Sequence, residues 1–280
     1  DSRLHQISFD AQDACGRQKR FVVVLGFTAI LLAGAFFSVR INPACRQNLA
    51  VHHAQYQELA EALSEGKVSV GDAEEALLAM KNPYDTIALQ AAGIGYRADY
   101  AYYNGKYYVY FGIVPVLLLY LPYYLLTGGA LQNYVAVFVF FAGFIIAAAG
   151  FVYELMKRYF KEQPFYLWAV GTGMLVGSYS MFYLLIRPDL YHVPIVASAM
   201  FATAGLWLYL AGLNRPKKAV GLYALGSFCM ALTAGCRPQF ILFAALAVVL
   251  FWERVFVKRK LFSKKGWRQT AALVVPYVLI

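Results

Sequence analysis

Apolar runs long enough to cross a bilayer recur along this chain, at residues 21–39, 134–155, 165–186, 193–213, 219–236 and 240–256, with a further one beginning at Thr270. A helix needs roughly 20 consecutive apolar residues to span the ~30 Å hydrocarbon layer, whereas a membrane strand needs about half that. Backbone in lipid must satisfy its own hydrogen bonds, so runs of this length become helices. The composition agrees, since 61% of the residues are hydrophobic and only 14% are charged. The expected fold is therefore an all-α polytopic membrane protein, a helical bundle.

The net charge of +10 would suggest nucleic acid as the partner of a soluble protein. Here the basic residues sit in short segments beside the apolar runs: Arg17, Lys19 and Arg20, then Lys157, Arg158 and Lys161, then Arg215, Lys217 and Lys218, then residues 254–268. That is the positive-inside pattern of cytoplasmic loops, so the expected partner is the lipid bilayer and nucleic acid is excluded. Residues 1–20 are expected to form a cytoplasmic N-terminal segment and residues 21–41 a retained first transmembrane helix. Residues 42–109 should form an extracytoplasmic loop, and residues 110–280 a multi-span region that stops within an apolar run and is expected to continue. The four cysteines are scattered, with neither disulfide nor metal-ligand spacing. Composition carries no information on oligomeric state.

The outer loop has its own pattern. Residues 51–63 place apolar side chains on one helix face, and residues 70–80 suggest a second short juxtamembrane helix that ends before Pro83. Asn104-Gly105 between tyrosine pairs signals a small hairpin, because a type I′ turn needs positive φ at both central residues. Residues 110–128 then pose a question of topology. One full crossing there would put every later Lys- and Arg-rich loop outside, against the charge rule. Pro115 and Pro122 each remove a helical hydrogen bond, which membrane-depth backbone tolerates where it is buried in protein or lines a cavity. A re-entrant segment and an ordinary span with an imperfect charge rule both remain open.

Charged residues at the outer ends of the spans are the candidate functional groups, because ionisable side chains near a bilayer are costly unless paired or wet. They are Asp85, Asp99, Lys106, Arg187, Asp189 and Arg237. A carboxylate among them, Asp99 or Asp85, could act as general base toward a hydroxyl, while Lys106, Arg187 or Arg237 holds a phosphate. Tyr103 and Tyr107 could stack on a sugar ring. Each has an ordinary alternative. Asp99 could cap a turn or pair with Arg97, Asp85 could start a helix, Arg187-Pro188-Asp189 could be an interhelical turn, and Arg237 could snorkel. His192 is expected to be a hydrogen-bonded helix-end residue, and His52-His53 lacks a partner at ligand spacing.

The order of a basic N-terminus, one span, a long acidic outer loop, the segment Lys106-Tyr107-Tyr108 running toward Pro115 and a later Arg187-Pro188-Asp189 resembles the GT-C superfamily of polytopic membrane glycosyltransferases, most closely bacterial members of uncertain substrate. The resemblance implies transfer of a sugar from a polyprenyl-phosphate donor to an acceptor at the outer face of a bacterial plasma membrane. It also implies that Asp85 or Asp99 is the catalytic base or a divalent-metal contact, and that residues 106–122 lie beside the donor. The adjacent acidic pair of many members is missing, and Gly112-Ile113-Val114-Pro115 stands where a Pro-Pro pair is common. Two other classes remain open: a transporter or flippase for a lipid-linked or polar substrate, and a noncatalytic membrane partner protein.

Overall fold

The structure is a computed structural model that describes residues 14–45, 54–73, 75–95, 97–178, 180–258, 263 and 266–279. His52 and His53 lie outside the described residues. Among the described residues, five helices are long and apolar enough to cross a membrane: Gly16–Ile41, Asn133–Tyr159, His192–Asn214, Pro216–Cys236 and Pro238–Val257. The protein is an all-α, membrane-embedded helical protein.

The bundle is built on α7 (Asn133–Tyr159), α10 (His192–Asn214) and α11 (Ala219–Cys236), which pack against one another in that order. Helices in lipid gain nothing from hydrophobic exclusion, so close approach through small residues drives their association. Gly205 of α10 and Gly226 of α11 face each other, and a Cβ on either would come within 3.0–3.1 Å of the other's carbonyl oxygen. Gly143 and Gly150 of α7 likewise receive Met200 and Trp207 of α10. Around this core lie α1 (Ala14–Ile41), the pair α8 (Tyr166–Ser178) and α9 (Met181–Ile186), α12 (Ala245–Trp252) and α13 (Trp267–Leu279). The apolar run at 165–186, expected as one helix, is broken between α8 and α9, where Ser180 takes a φ of 52°.

Contacts at the helix ends fix the two faces of the bundle. On one face, Val23, Val24 and Phe27 of α1 join Met156 of α7 and Trp168 of α8 in a single cluster. On that face too, buried Glu154 binds Arg215 at 2.5 Å and Asn214 at 2.8 Å, and Arg254 donates to the Tyr223 hydroxyl at 3.0 Å. This is the basic face, shared by Arg158, Arg215 and Arg254. On the far face, the Asn42 amide, just beyond α1, donates to the Ile186 carbonyl at the end of α9.

The described residues between 54 and 132 are tied to that far face through α2 and Gly112. The helix α2 (Gln55–Ser64) lies over it: the Tyr56 hydroxyl donates to the Leu190 carbonyl at 3.1 Å, and the Gln57 amide donates to the Leu131 carbonyl at 2.7 Å and to Asn133 at 3.2 Å. Residues 113–127 form α5 (Ile113–Pro115), a π-helical turn (Val116–Tyr120) and α6 (Leu121–Thr127). These 15 residues reach only about 22 Å at 1.5 Å per residue, too short to span. Their flanks are tied to adjacent residues of α2, Gly112 against Tyr56 and Leu131 against Gln57. Both flanks of the segment therefore lie on the same face of the bundle. The segment's outer side exposes Leu117, Leu118, Leu125 and Leu126, while Val116 and Tyr120 are buried beneath α2 and Val114 is buried against Gly235 of α11.

The hairpin forms as the sequence predicts, with β1 (Ala101–Tyr103) paired to β2 (Lys106–Tyr108) around Asn104 at φ 46° and Gly105 at φ 74°. The second loop helix does not. Only α3 (Glu75–Leu78) is helical, and residues 70–73 run extended along β2, with Val70 N donating to Tyr107 O, Tyr107 N to Gly71 O and Ala73 N to Gly105 O at 2.7–3.0 Å. The open edge of β2 offers backbone partners that a lone helical turn lacks. Leu77, Leu89 of α4 (Thr86–Ala91) and Ile94 form a small core of their own under the hairpin.

Candidate functional site

The bundle brings the end of α11 and the start of α10 side by side on the far face, beneath the loop that carries Asp99. Gly112 links them. Its N–H donates to the Cys236 carbonyl at 3.1 Å, immediately before Arg237, and its φ of 79° turns the chain into α5. A Cβ here would stand 2.6 Å from the buried Tyr56 ring, so only glycine fits.

Tyr191, the residue before α10, lies at the centre. Its ring stacks on Phe111 with centroids 5.8 Å apart and planes 15° from parallel, and the Arg237 guanidinium stands 5.9 Å from its centroid, within cation–π range. The Asp99 carboxylate beside it, together with some burial, raises the Tyr191 phenol above its ordinary pKa. Tyr110 and Asp189 add to the same effect. Asp99, Tyr191, Asp189 and Arg237 are all partly accessible. The site therefore offers an acceptor carboxylate, a phenol and a cation, all partly accessible.

An apolar groove of about 330 Å3 adjoins it, lined by Leu59, Val68, Tyr110, Phe111, Ala234 and Pro238. Tyr110 and Phe111 belong to both places, and Arg237 lies between the groove residue Pro238 and the Gly112 partner Cys236.

Of the candidates read from the sequence, Asp99, Asp189 and Arg237 come together here. The others do not. Asp85 caps α4, its carboxylate accepting from Ile87 N at 3.1 Å and Ala88 N at 3.2 Å. Lys106 is exposed and bridges by its backbone to Asp72, facing a separate polar groove with Glu58, Glu61 and Glu65. Arg187 is exposed and bonds to Tyr183. Tyr103 is 66% exposed at the hairpin tip, and Tyr107 packs on Tyr100, Tyr102 and Arg97. The His192 ring contacts the Arg187 carbonyl, as expected of a helix-end histidine. The sequence reading missed Tyr191 as a site residue. Its position between Arg187-Pro188-Asp189 and the run at 193–213 was the available signal.

Among the described residues no group of three or more His, Cys, Asp or Glu gathers that could hold a metal ion. The divalent metal implied by the resemblance therefore does not fit these residues, and no step is derived through it. No family model, curated protein or solved structure matches the chain.

Proposed function

We propose that this protein is a membrane glycosyltransferase of the GT-C kind, with the basic face in the cytoplasm and the Asp99–Tyr191–Arg237 site at the outer face of a bacterial plasma membrane. The observation that carries the reading is the meeting of a carboxylate and a guanidinium at one tyrosine, beside an apolar groove and a short apolar helical segment with both ends on one face. A lipid-borne phosphate suits that setting, with its chain along the groove and its headgroup at Arg237. The acceptor hydroxyl would lose its proton to Asp99 as its oxygen bonds to the anomeric carbon. The bond from that carbon to the phosphate oxygen would break with inversion, and the polyprenyl phosphate would leave with the electron pair, held by Arg237. Arg187 and Lys106 have no part in this scheme.

In proteoliposomes supplied with a panel of polyprenyl-phosphate sugars, Asp99→Asn should lower transfer by about 100-fold or more, the usual worth of a general base. Retention of wild-type rate would sink the mechanism. The interrupted crossing at Ser180 favours a second reading, transport, since broken helices line substrate paths in many carriers. Accumulation of intact donor in sealed vesicles without product would select it.

A further inference from the structure

Asp99 is one of three described non-glycine residues with positive φ, at 63°. That conformation is uncommon outside glycine, even for aspartate, and persists where the surroundings support it. The surroundings here come from one turn of α2. The Gln55 side chain, on a residue only 2% exposed, donates from Nε2 to the Ala98 carbonyl at 3.3 Å. One turn further on, Glu58 Oε2 accepts from Arg97 Nη2 at 2.5 Å and from the Tyr100 hydroxyl at 2.8 Å. The Arg97 guanidinium in turn lies 4.1 Å from the Tyr100 ring centroid and 4.9 Å from that of Tyr107. Residues 97, 98 and 100 are thus all gripped from α2, and Asp99 between them stands close enough to Tyr191 to act on its phenol. The next residue of the helix, Tyr56, holds the Leu190 carbonyl beside Tyr191. One helical turn fixes both partners of the pair.

We propose that Gln55 and the Glu58–Arg97 ion pair are positioning residues that hold the Asp99 backbone in its left-handed conformation, so that the carboxylate meets Tyr191 and faces the substrate. The inference rests on Asp99 being the base of the proposed reaction. None of the three touches the Tyr191 ring or Arg237 in the contacts described above. Their effect would pass through Asp99. Glu58 also lines the polar groove with Lys106, which gives the clamp an exposed side without changing its grip.

The test reads Asp99 through its partner and needs no sugar donor. The full chain, carrying 3-fluorotyrosine at position 191, is titrated in nanodiscs by fluorine NMR. The groups facing the probe are Asp99, Asp189, Tyr110 and Arg237. Asp99→Asn should move the titration to lower pH by about one unit, the size of one lost charge-assisted hydrogen bond. Gln55→Met, of similar length but without the amide, and Glu58→Gln should move it the same way, while Arg97→Lys, which keeps the charge, should stay close to the wild-type position. The surface pair variant Glu65→Gln should not move it. Thermal melts run on each variant separate this from unfolding, and Glu58→Gln serves if Gln55→Met does not fold. If both clamp variants titrate as the wild type while Asp99→Asn shifts, the clamp is overturned and the site stands. If Asp99→Asn itself leaves the titration in place, the Asp99–Tyr191 pair is overturned, and the proposed reaction with it.

Discussion

Replacing Gly112 with alanine should be among the most damaging single-methyl changes in the molecule. The new Cβ would lie 2.6 Å from Tyr56 Cε1 and 2.8 Å from its hydroxyl oxygen, and Tyr56 is fully buried. The far end of a free side chain could swing away, but this ring is held by its bond to Leu190 and packed on Phe111 and Tyr120 at 6.3 and 5.4 Å. Left-handed backbone at φ 79° costs an alanine about 1–2 kcal/mol, and forcing atoms into a packed core costs about 1–3 kcal/mol more. The sum is about 2–5 kcal/mol. Reversible unfolding in detergent micelles would measure it, and a double-mutant cycle with Tyr56→Leu would separate the parts. In the Tyr56→Leu background only the backbone cost should remain, so the two changes should couple by about 1–3 kcal/mol. A Gly112→Ala variant with wild-type stability, or costs that simply add, would refute the claim that Tyr56 and Gly112 lock α2 onto α5.

On the basic face, Arg215→Ala should destabilise by about 3 kcal/mol, because it strips the main cation from a carboxylate that is 3% exposed. Glu154→Gln should cost less, since Asn214 and Arg215 keep an acceptor, and the same unfolding assay ranks the two. Single cysteines placed at Asn104 and Gly129, on either side of residues 113–127, should react with the same membrane-impermeant thiol reagent from the same side. Reaction from opposite sides would mean that the segment crosses. Above about pH 10, the reference value for tyrosine, stability should fall as pH rises. Tyr100 and Tyr191 both have raised pKa values, Tyr100 chiefly through burial and then Glu58, so the native state keeps protons that the unfolded chain gives up. Thermal melts between pH 8 and 11 check this, and Tyr100→Phe should flatten the decline.

Membrane character was legible because run length alone decides between helix and loop in lipid. The hairpin was legible because Asn104-Gly105 is a local signal with a conformational cause. Counting crossings against the basic loops also raised the same-face reading of residues 110–128, and the tie of Gly112 and Leu131 to neighbouring residues of α2 supports it. What stayed hidden depends on tertiary partners. Residues 70–73 look like the start of a helix for the acidic residues that follow, yet they pair with β2, because its edge lies within reach and Gly71 takes a φ of 133° that a helix forbids. Asp85 and Asp99 look alike in sequence. One spends its carboxylate on two backbone amides, and the other is freed from local caps by the grip of α2 on its neighbours. Lys106 sits near Asp99 in sequence, but the two-residue turn sends it along β2 toward Asp72. Tyr191 passed as one of 22 tyrosines, because its place beside Arg187-Pro188-Asp189 is a weak local signal and its neighbours Asp99, Phe111 and Arg237 are brought to it only by the fold.

The claim at the centre of this account is that Arg237, beside Tyr191 and the apolar groove, receives a lipid-borne phosphate. Native mass spectrometry of the purified protein with undecaprenyl phosphate tests it most directly. The account predicts a saturable adduct that weakens about 10-fold or more in Arg237→Gln, the loss expected of one charge-assisted contact, and that persists in Arg187→Gln and Lys106→Gln. An adduct unchanged in Arg237→Gln but lost in Arg187→Gln or Lys106→Gln would contradict it.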